Sequence, residues 1–339
     1  MDIDVLQLVC DGTVMNGILY NIFNMLTGKN LNVEIDTRQL FTDVDISISK
    51  GDKVGLVGRN GAGKTTLTKI LAGDGQPTQG FVDRIGEIGY LPQDPRSGDP
   101  NELARTRILN ARGLGDIQAR MSQATLDMGS VDEDVYEAAM KKYAKAEEAF
   151  SAAGGYAAEA EAASIASNLG IKEHILSQTL KTLSGGQRRR IELARILFSA
   201  AETMLLDEPT NHLDADSVVW LREFLKNYQG GLIVISHDVE LVEETVNRVF
   251  YLDANRQVID IYNMGWKAYQ KQREQDQERR KRERAGAEKK AAVLQLQAAK
   301  FGAKASKAVA AKQMVRRAEQ MLNNLEDVRE SDKVAHIKF

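Results

Sequence analysis

The sequence predicts an α/β protein, a parallel sheet covered on both faces and carrying a helical insert, followed by a long α-helical hairpin. Three observations lead there. Short apolar runs at Lys53–Val57, Met204–Leu206 and Leu232–Ile235 are bounded by glycines or polar residues, the pattern of strands buried on both sides. Stretches with apolar residues every three or four positions, notably Ile191–Phe198 and Val218–Leu225, alternate with them as amphipathic helices. Beyond Trp266 the chain holds no proline and is rich in Ala, Gln, Lys, Arg and Glu, which reads as helix throughout.

From the N-terminus, the longest uncharged stretch, Gly12–Gly28, has 17 residues including three asparagines. That falls short of the roughly 20 apolar residues of a spanning helix, so no membrane contact is expected. Asp2 and Asp4 precede it without any Lys or Arg, which argues against a secretory leader. Residues 1–28 are set aside as an extension, with Met25 as a possible second start. Cys10 is the single cysteine, so no internal disulfide can form; this agrees with a reducing, cytoplasmic location.

Residues 29–265 form the alternating unit. Its helical insert covers about 101–200, with long Ala/Glu/Lys-rich segments at Asp132–Ala153 and Tyr156–Leu169 before the helix that follows Ser184. Residues 266–339 form the hairpin, broken near Phe301-Gly302. A helix from Trp266 to Ala299 extends about 50 Å at 1.5 Å per residue, and Trp266 is expected to pack the base of the hairpin on the core.

Charge separates the two parts. The whole chain has 45 Lys and Arg against 48 Asp and Glu, which excludes a uniformly basic nucleic-acid binder. Residues 268–339 nevertheless hold 18 basic and 10 acidic side chains. Lys289, Lys290, Lys300, Lys304, Lys307, Lys312, Arg316 and Arg317 succeed one another with no acidic residue between Lys289 and Ala318. Lys300, Lys304 and Lys307 share one helical face, which can follow an RNA backbone. A solvated coiled coil kept soluble by lysines is the plainer alternative, and the mixed charges of Gln275–Arg284 do read that way.

The chemistry begins at Gly58-Arg59-Asn60-Gly61-Ala62-Gly63-Lys64-Thr65, continued by Thr66, between an apolar strand and a helix ending near Gly73. Gly58, Asn60, Gly61 and Gly63 let backbone N–H groups crowd a triphosphate. Lys64 reaches the β/γ-phosphates and Thr65 offers its hydroxyl to Mg²⁺. A second strand, Met204-Leu205-Leu206, runs into Asp207 and Glu208, one placed to hold Mg²⁺ and the other to deprotonate a water. An acidic pair that merely ends a strand is the alternative, and the phosphate loop outweighs it. Ser184-Gly185-Gly186-Gln187, twenty residues ahead of that strand, opens another helix and offers a second anion cradle. His174 and His336 have no Cys or carboxylate at ligand spacing. Arg188-Arg189-Arg190 is expected to form a solvated or interdomain face.

These motifs together resemble the ATP-binding cassette superfamily, in which the Leu-Ser-Gly-Gly-Gln motif contacts the γ-phosphate held by the phosphate loop of a partner domain. The resemblance implies ATP and Mg²⁺ as cofactors. It makes Gln93 the Q-loop glutamine, a ligand of Mg²⁺ and water, and His237 the switch histidine at the γ-phosphate. The run Thr210-Asn211-His212-Leu213-Asp214 resembles the ABC-F proteins, cytosolic ATPases without membrane domains that act on ribosomes. In that family a basic helical hairpin links the first cassette to a second and reaches toward tRNA. The resemblance therefore implies ATP hydrolysis completed by a second cassette or a homodimer, with ribosomal RNA or tRNA as partner and translation control or antibiotic protection as outcome. A transporter ATPase subunit and a non-hydrolysing nucleic-acid scaffold are the other readings. Two departures stand out: the chain carries one set of motifs and looks like the first half of a longer protein, and Ile35 occupies the place of the aromatic residue that stacks on adenine.

Overall fold

The computed structural model describes residues 24–35, 38–94, 98–129, 132–302 and 308–323. A six-stranded sheet has the order β5-β6-β7-β3-β8-β9, built from β3 (Lys53–Gly58), β5 (Ile88–Leu91), β6 (Thr203–Asp207), β7 (Gly231–Ile235), β8 (Arg248–Asp253) and β9 (Val258–Tyr262). The first five run parallel, and β9 is antiparallel to β8. β6 and β7 are buried at every position, which explains why they read as unbroken apolar runs. Their side chains still alternate between two cores. Met204, Leu206, Leu232 and Val234 meet the helices on one face, while Leu205, Ile233 and Ile235 meet the second sheet and the first helix.

That second sheet, ordered β2-β1-β4, is antiparallel: β1 (Asn24–Ile35), β2 (Arg38–Ser49) and β4 (Gln79–Arg84). The boundary expected at residue 28 falls inside β1. Leu26 pairs with Ile48 and Arg84, and Thr27 with Ser47, so the cassette begins at least at Asn24. Leu26 is fully buried, and a ladder running through it leaves no room for a separate extension there.

Helix α1 (Lys64–Ala72) follows β3 and stops at Gly73, whose left-handed conformation (φ 99°) closes the helix. The insert holds α2 (Ala104–Leu109), α3 (Gly115–Asp127), α4 (Glu133–Ala152), α5 (Gly155–Asn168) and α6 (Glu173–Leu176). Asp132 caps α4 by accepting from the N–H groups of Asp134 and Val135. Helix α7 (Gly185–Ser199) returns the chain to the sheet, and Glu192 on it, fully buried, takes a 2.7 Å ion pair from Arg107 of α2. Helices α8 (Ala215–Asn227) and α9 (Val239–Thr245) complete the core.

The tail consists of α10 (Trp266–Gly302, 37 residues) packed against α11 (Ala308–Asn323). Its root is aromatic. Tyr269 is 1% exposed, with ring centroids 5.0 Å from Tyr262 and 5.3 Å from Trp266. Arg273 lies over the Tyr251 ring at 4.1 Å and donates to the hydroxyls of both Tyr269 and Tyr251. Trp266 is half-buried against this core, while Tyr269, unremarkable in the sequence, is the plug. Tyr269→Ala is expected to cost about 3 kcal/mol of unfolding free energy, since it deletes a buried ring and removes one of the two hydroxyls to which Arg273 donates. Denaturant titration measures this, and an unchanged midpoint would show the hairpin is not anchored there.

Candidate functional site

The C-terminal ends of β3, β6 and β7 lie side by side and open into a cavity of about 740 Å³. It is lined by Asn60, Gly61 and Gly63 from the β3–α1 connection, Lys64, Thr65 and Thr66 from the first turn of α1, Gln93, Asp207, Glu208 and Asn211, and His237. Local geometry dictates glycine at two of these turns. A side chain at Gly58 would come within 2.7 Å of the Leu252 carbonyl on β8. Gly63, at φ 102°, precedes α1 in a left-handed conformation and offers no side-chain cap, so the first-turn amides of α1 are left for a ligand. No atom lies within 4 Å of where a side chain on Gly61 would point.

Lys64 curls back so that Nζ donates to the carbonyls of Gly58 (2.8 Å) and Arg59 (3.0 Å). Desolvation lowers its pKa, while the nearby charges of Asp207 and Glu208 act to raise it. The Thr65 hydroxyl donates to Oδ2 of Asp207 at 2.7 Å, which brings two candidate metal ligands onto one edge. With Gln93 on the same wall, this is an oxygen donor set suited to Mg²⁺, which takes one or two carboxylates and completes its shell with phosphate and water. Among the described residues no group of three or more His, Cys, Asp or Glu could hold a metal by itself.

Glu208 leaves β6 in the left-handed region (φ 51°), an unusual conformation for a non-glycine residue and one of a kind that clusters at functional sites. The turn is held by its N–H, which donates to the Ile235 carbonyl at 2.8 Å. Its carboxylate accepts from the His237 N–H (3.2 Å) and faces the His237 Nε2 at 3.3 Å. Burial is the main influence on this carboxyl and pushes its pKa above the ordinary glutamate value, against the opposing pull of His237. The His237 ring itself stands in solvent at the rim.

Ser184, Gly185, Gly186 and Gln187 form no part of this cavity wall. They build the start of α7 through a capping box: Ser184 Oγ accepts from the Gln187 N–H (3.3 Å), and Gln187 Oε1 accepts from the Ser184 N–H (2.9 Å). The Ser184 hydroxyl therefore keeps its own proton to donate elsewhere.

The expectation for the three arginines is corrected. Arg189 is 5% exposed, with its guanidinium under the end of β6. Arg188 and Arg190 tie the start of α7 to the carbonyls of Leu180 and Gly170. Consecutive helix residues point about 100° apart, so three like residues in a row cannot share one environment. Sequence reasoning also missed Arg38 and Leu40, which line the cavity beside Ile35; Ile35 itself is 45% exposed at the mouth. Of the basic tail residues, Lys300, Lys312, Arg316 and Arg317 are exposed, while Lys304 and Lys307 lie outside the described residues. No helix among the described residues is long and apolar enough to cross a membrane.

Residues 41–211, half of the chain, match the family model described as ABC transporter, and residues 252–339 match its extension module, described in the same words. Among curated proteins, the chain is 37% identical over 228 residues to the tylosin resistance ATP-binding protein TlrC of Streptomyces fradiae, covering 64% of this chain and 40% of that protein. It is 34% identical over 240 residues to the uncharacterized ABC transporter ATP-binding protein YkpA of Bacillus subtilis, covering 70% and 43%. The probable ATP-binding protein YbiT of Escherichia coli O157:H7 is 30% identical over 313 residues, covering 91% and 57%. The chain thus spans about half the length of the curated relatives it matches. Among solved structures, a bacterial ABC transporter cassette determined as a dimer superposes with a TM-score of 0.50 at 19% identity, over 71% of this chain and all of that one, a likeness of fold. The chain belongs to the ATP-binding cassette family, in the ABC-F-like form in which a cassette continues into the extension module.

Proposed function

We propose that this chain is the first cassette and linker of a cytoplasmic ATPase that uses nucleotide-driven closure to move a basic hairpin on ribosomal RNA or tRNA. One observation carries the reading. Lys64, Thr65, Gln93, Asp207, Glu208 and His237 converge on one cavity, while the serine-glycine turn at 184–187 stands apart from it. One chain then offers two half-sites, and each is finished by a second cassette or a second copy.

The backbone of Gly58, Asn60, Gly61 and Gly63, with Thr66, cradles the phosphates of ATP, and Lys64 neutralises the β/γ oxygens. Thr65, Asp207 and Gln93 would hold Mg²⁺, which when bound would offset the negative charge on the phosphate oxygens. Glu208 takes the proton of the attacking water, and His237 orients the carboxylate and reaches the γ-phosphate. From the opposite half, Ser184, Gly185, Gly186 and Gln187 close on that phosphate with the N-terminal dipole of α7. Binding therefore favours the closed pair and hydrolysis releases it.

The RNA half of the proposal is supported by the exposed Lys300, Lys312, Arg316 and Arg317. Two measurements test the whole. With ATP and Mg²⁺, the Glu208→Gln chain is expected to associate in sedimentation, while adding Ser184→Arg abolishes association and leaves nucleotide binding intact. Association that ignores Ser184 would overturn the shared site. Changing Lys312, Arg316 and Arg317 together to Gln is expected to weaken ribosome binding and flatten its log–log salt slope by about 2, at about 0.7 per lost single-strand contact. An unchanged slope would assign those side chains to solubility.

A further inference from the structure

We infer that Arg189 is a positioning residue for hydrolysis, tying the helix that begins at Ser184 to the Gln93 segment and to the backbone of Asp207 and Glu208. The inference rests on the proposed roles of Ser184 and Glu208. Its geometry is specific. Nη2 donates to the carbonyls of Asp207 (2.6 Å) and Glu208 (2.9 Å), and Nη1 donates to the carbonyls of Pro92 (3.2 Å) and Gln93. One planar fork thus joins three segments that meet nowhere else in the sequence, each carrying one part of the site.

A buried guanidinium is an expensive way to fill space. Burial here lowers the pKa of Arg189, with Asp207, Glu208 and Asp94 holding the charge against it. What the guanidinium supplies is a set of donors for carbonyls that the sheet leaves over. Glu208 turns out of β6 at positive φ, and Pro92 and Gln93 follow the end of β5, so these carbonyls lie past the regular ladders. A lysine ammonium donates from a point and cannot span two pairs of acceptors in a plane. Arg189 lies five residues after Ser184 on the same rigid helix. A shift of α7 when Ser184 meets the nucleotide of the opposite half is therefore felt at Glu208 of its own half, which couples the two sites.

The test uses Arg189→Lys and Arg189→Gln in the assembly in which the parent hydrolyses ATP, with Arg190→Gln as the comparison. Both Arg189 variants are expected to lose tenfold or more in kcat while KM and the affinity for a fluorescent ATP analogue stay within about threefold. A kcat within twofold of the parent overturns the inference. So does a joint loss of kcat, nucleotide affinity and melting temperature in both variants, which would make the guanidinium purely structural. If the parent chain itself fails to turn over ATP, the functional reading fails instead. Hydrogen exchange without nucleotide then still tests Arg189: amides at 208–212 should exchange faster in Arg189→Gln, and unchanged rates overturn the tie.

Discussion

Glu208→Gln is expected to leave ATP binding near the parental level and to slow hydrolysis by about 10²–10⁴-fold, the usual contribution of a positioned general base. Glutamine keeps the shape of the side chain and can still accept from the His237 N–H, which reaches Oε2 at 3.2 Å in the parent. It cannot take a proton from water. The carboxyl also predicts the pH dependence. Burial raises its pKa, and it serves as a base only when ionised, so the acid limb of the parental rate lies above the pH at which an ordinary exposed glutamate would titrate. The glutamine variant is expected to show no such limb. With hydrolysis blocked, the closed pair persists, and the full-length protein is expected to stay on ribosomes and halt translation. Single-turnover phosphate release and ribosome co-sedimentation measure the two effects. Parental release rates and parental dissociation from ribosomes would remove Glu208 from the chemistry.

Lys64→Met is expected to weaken ATP binding by about one to two orders of magnitude, corresponding to the roughly 1.5–3 kcal/mol of a hydrogen bond to a charged group. In the free chain the ammonium serves two carbonyls of its own loop, those of Gly58 and Arg59, so the variant also takes that donor from the loop. The electrostatic effect is larger than those two bonds suggest. Asp207 and Glu208 remain at the floor of the cavity, and without the ammonium they repel the phosphates that Lys64 is placed to neutralise. The loss should therefore grow at low ionic strength, where repulsion is least screened. Titration with a labelled ATP analogue at two salt concentrations checks both the size and the trend. Equal affinity in parent and variant would mean that the nucleotide does not lie over α1.

The order of amino acids alone reveals those parts of the site whose physics needs neighbouring residues. A phosphate cradle requires consecutive backbone amides ahead of a helix, so Gly58–Thr66 is legible as a run, and so are the Asp207-Glu208 strand end and the capped turn at Ser184–Gln187. The buried parallel strands are legible for a similar reason, since burial on both faces leaves no polar alternation to interrupt them. Which side of a helix becomes interior emerges from folding. Packing sends Arg189 under β6 while Arg188 and Arg190 hold the start of their own helix, and it makes Tyr269 the plug beneath the hairpin. It also places Asn24–Gly28 in the antiparallel sheet and brings Arg38 and Leu40 to the cavity mouth beside Ile35. These pairings join residues far apart in the chain, and such pairings leave no periodic or contiguous trace in the sequence. They exist only once the two sheets and the insert have closed around a shared core.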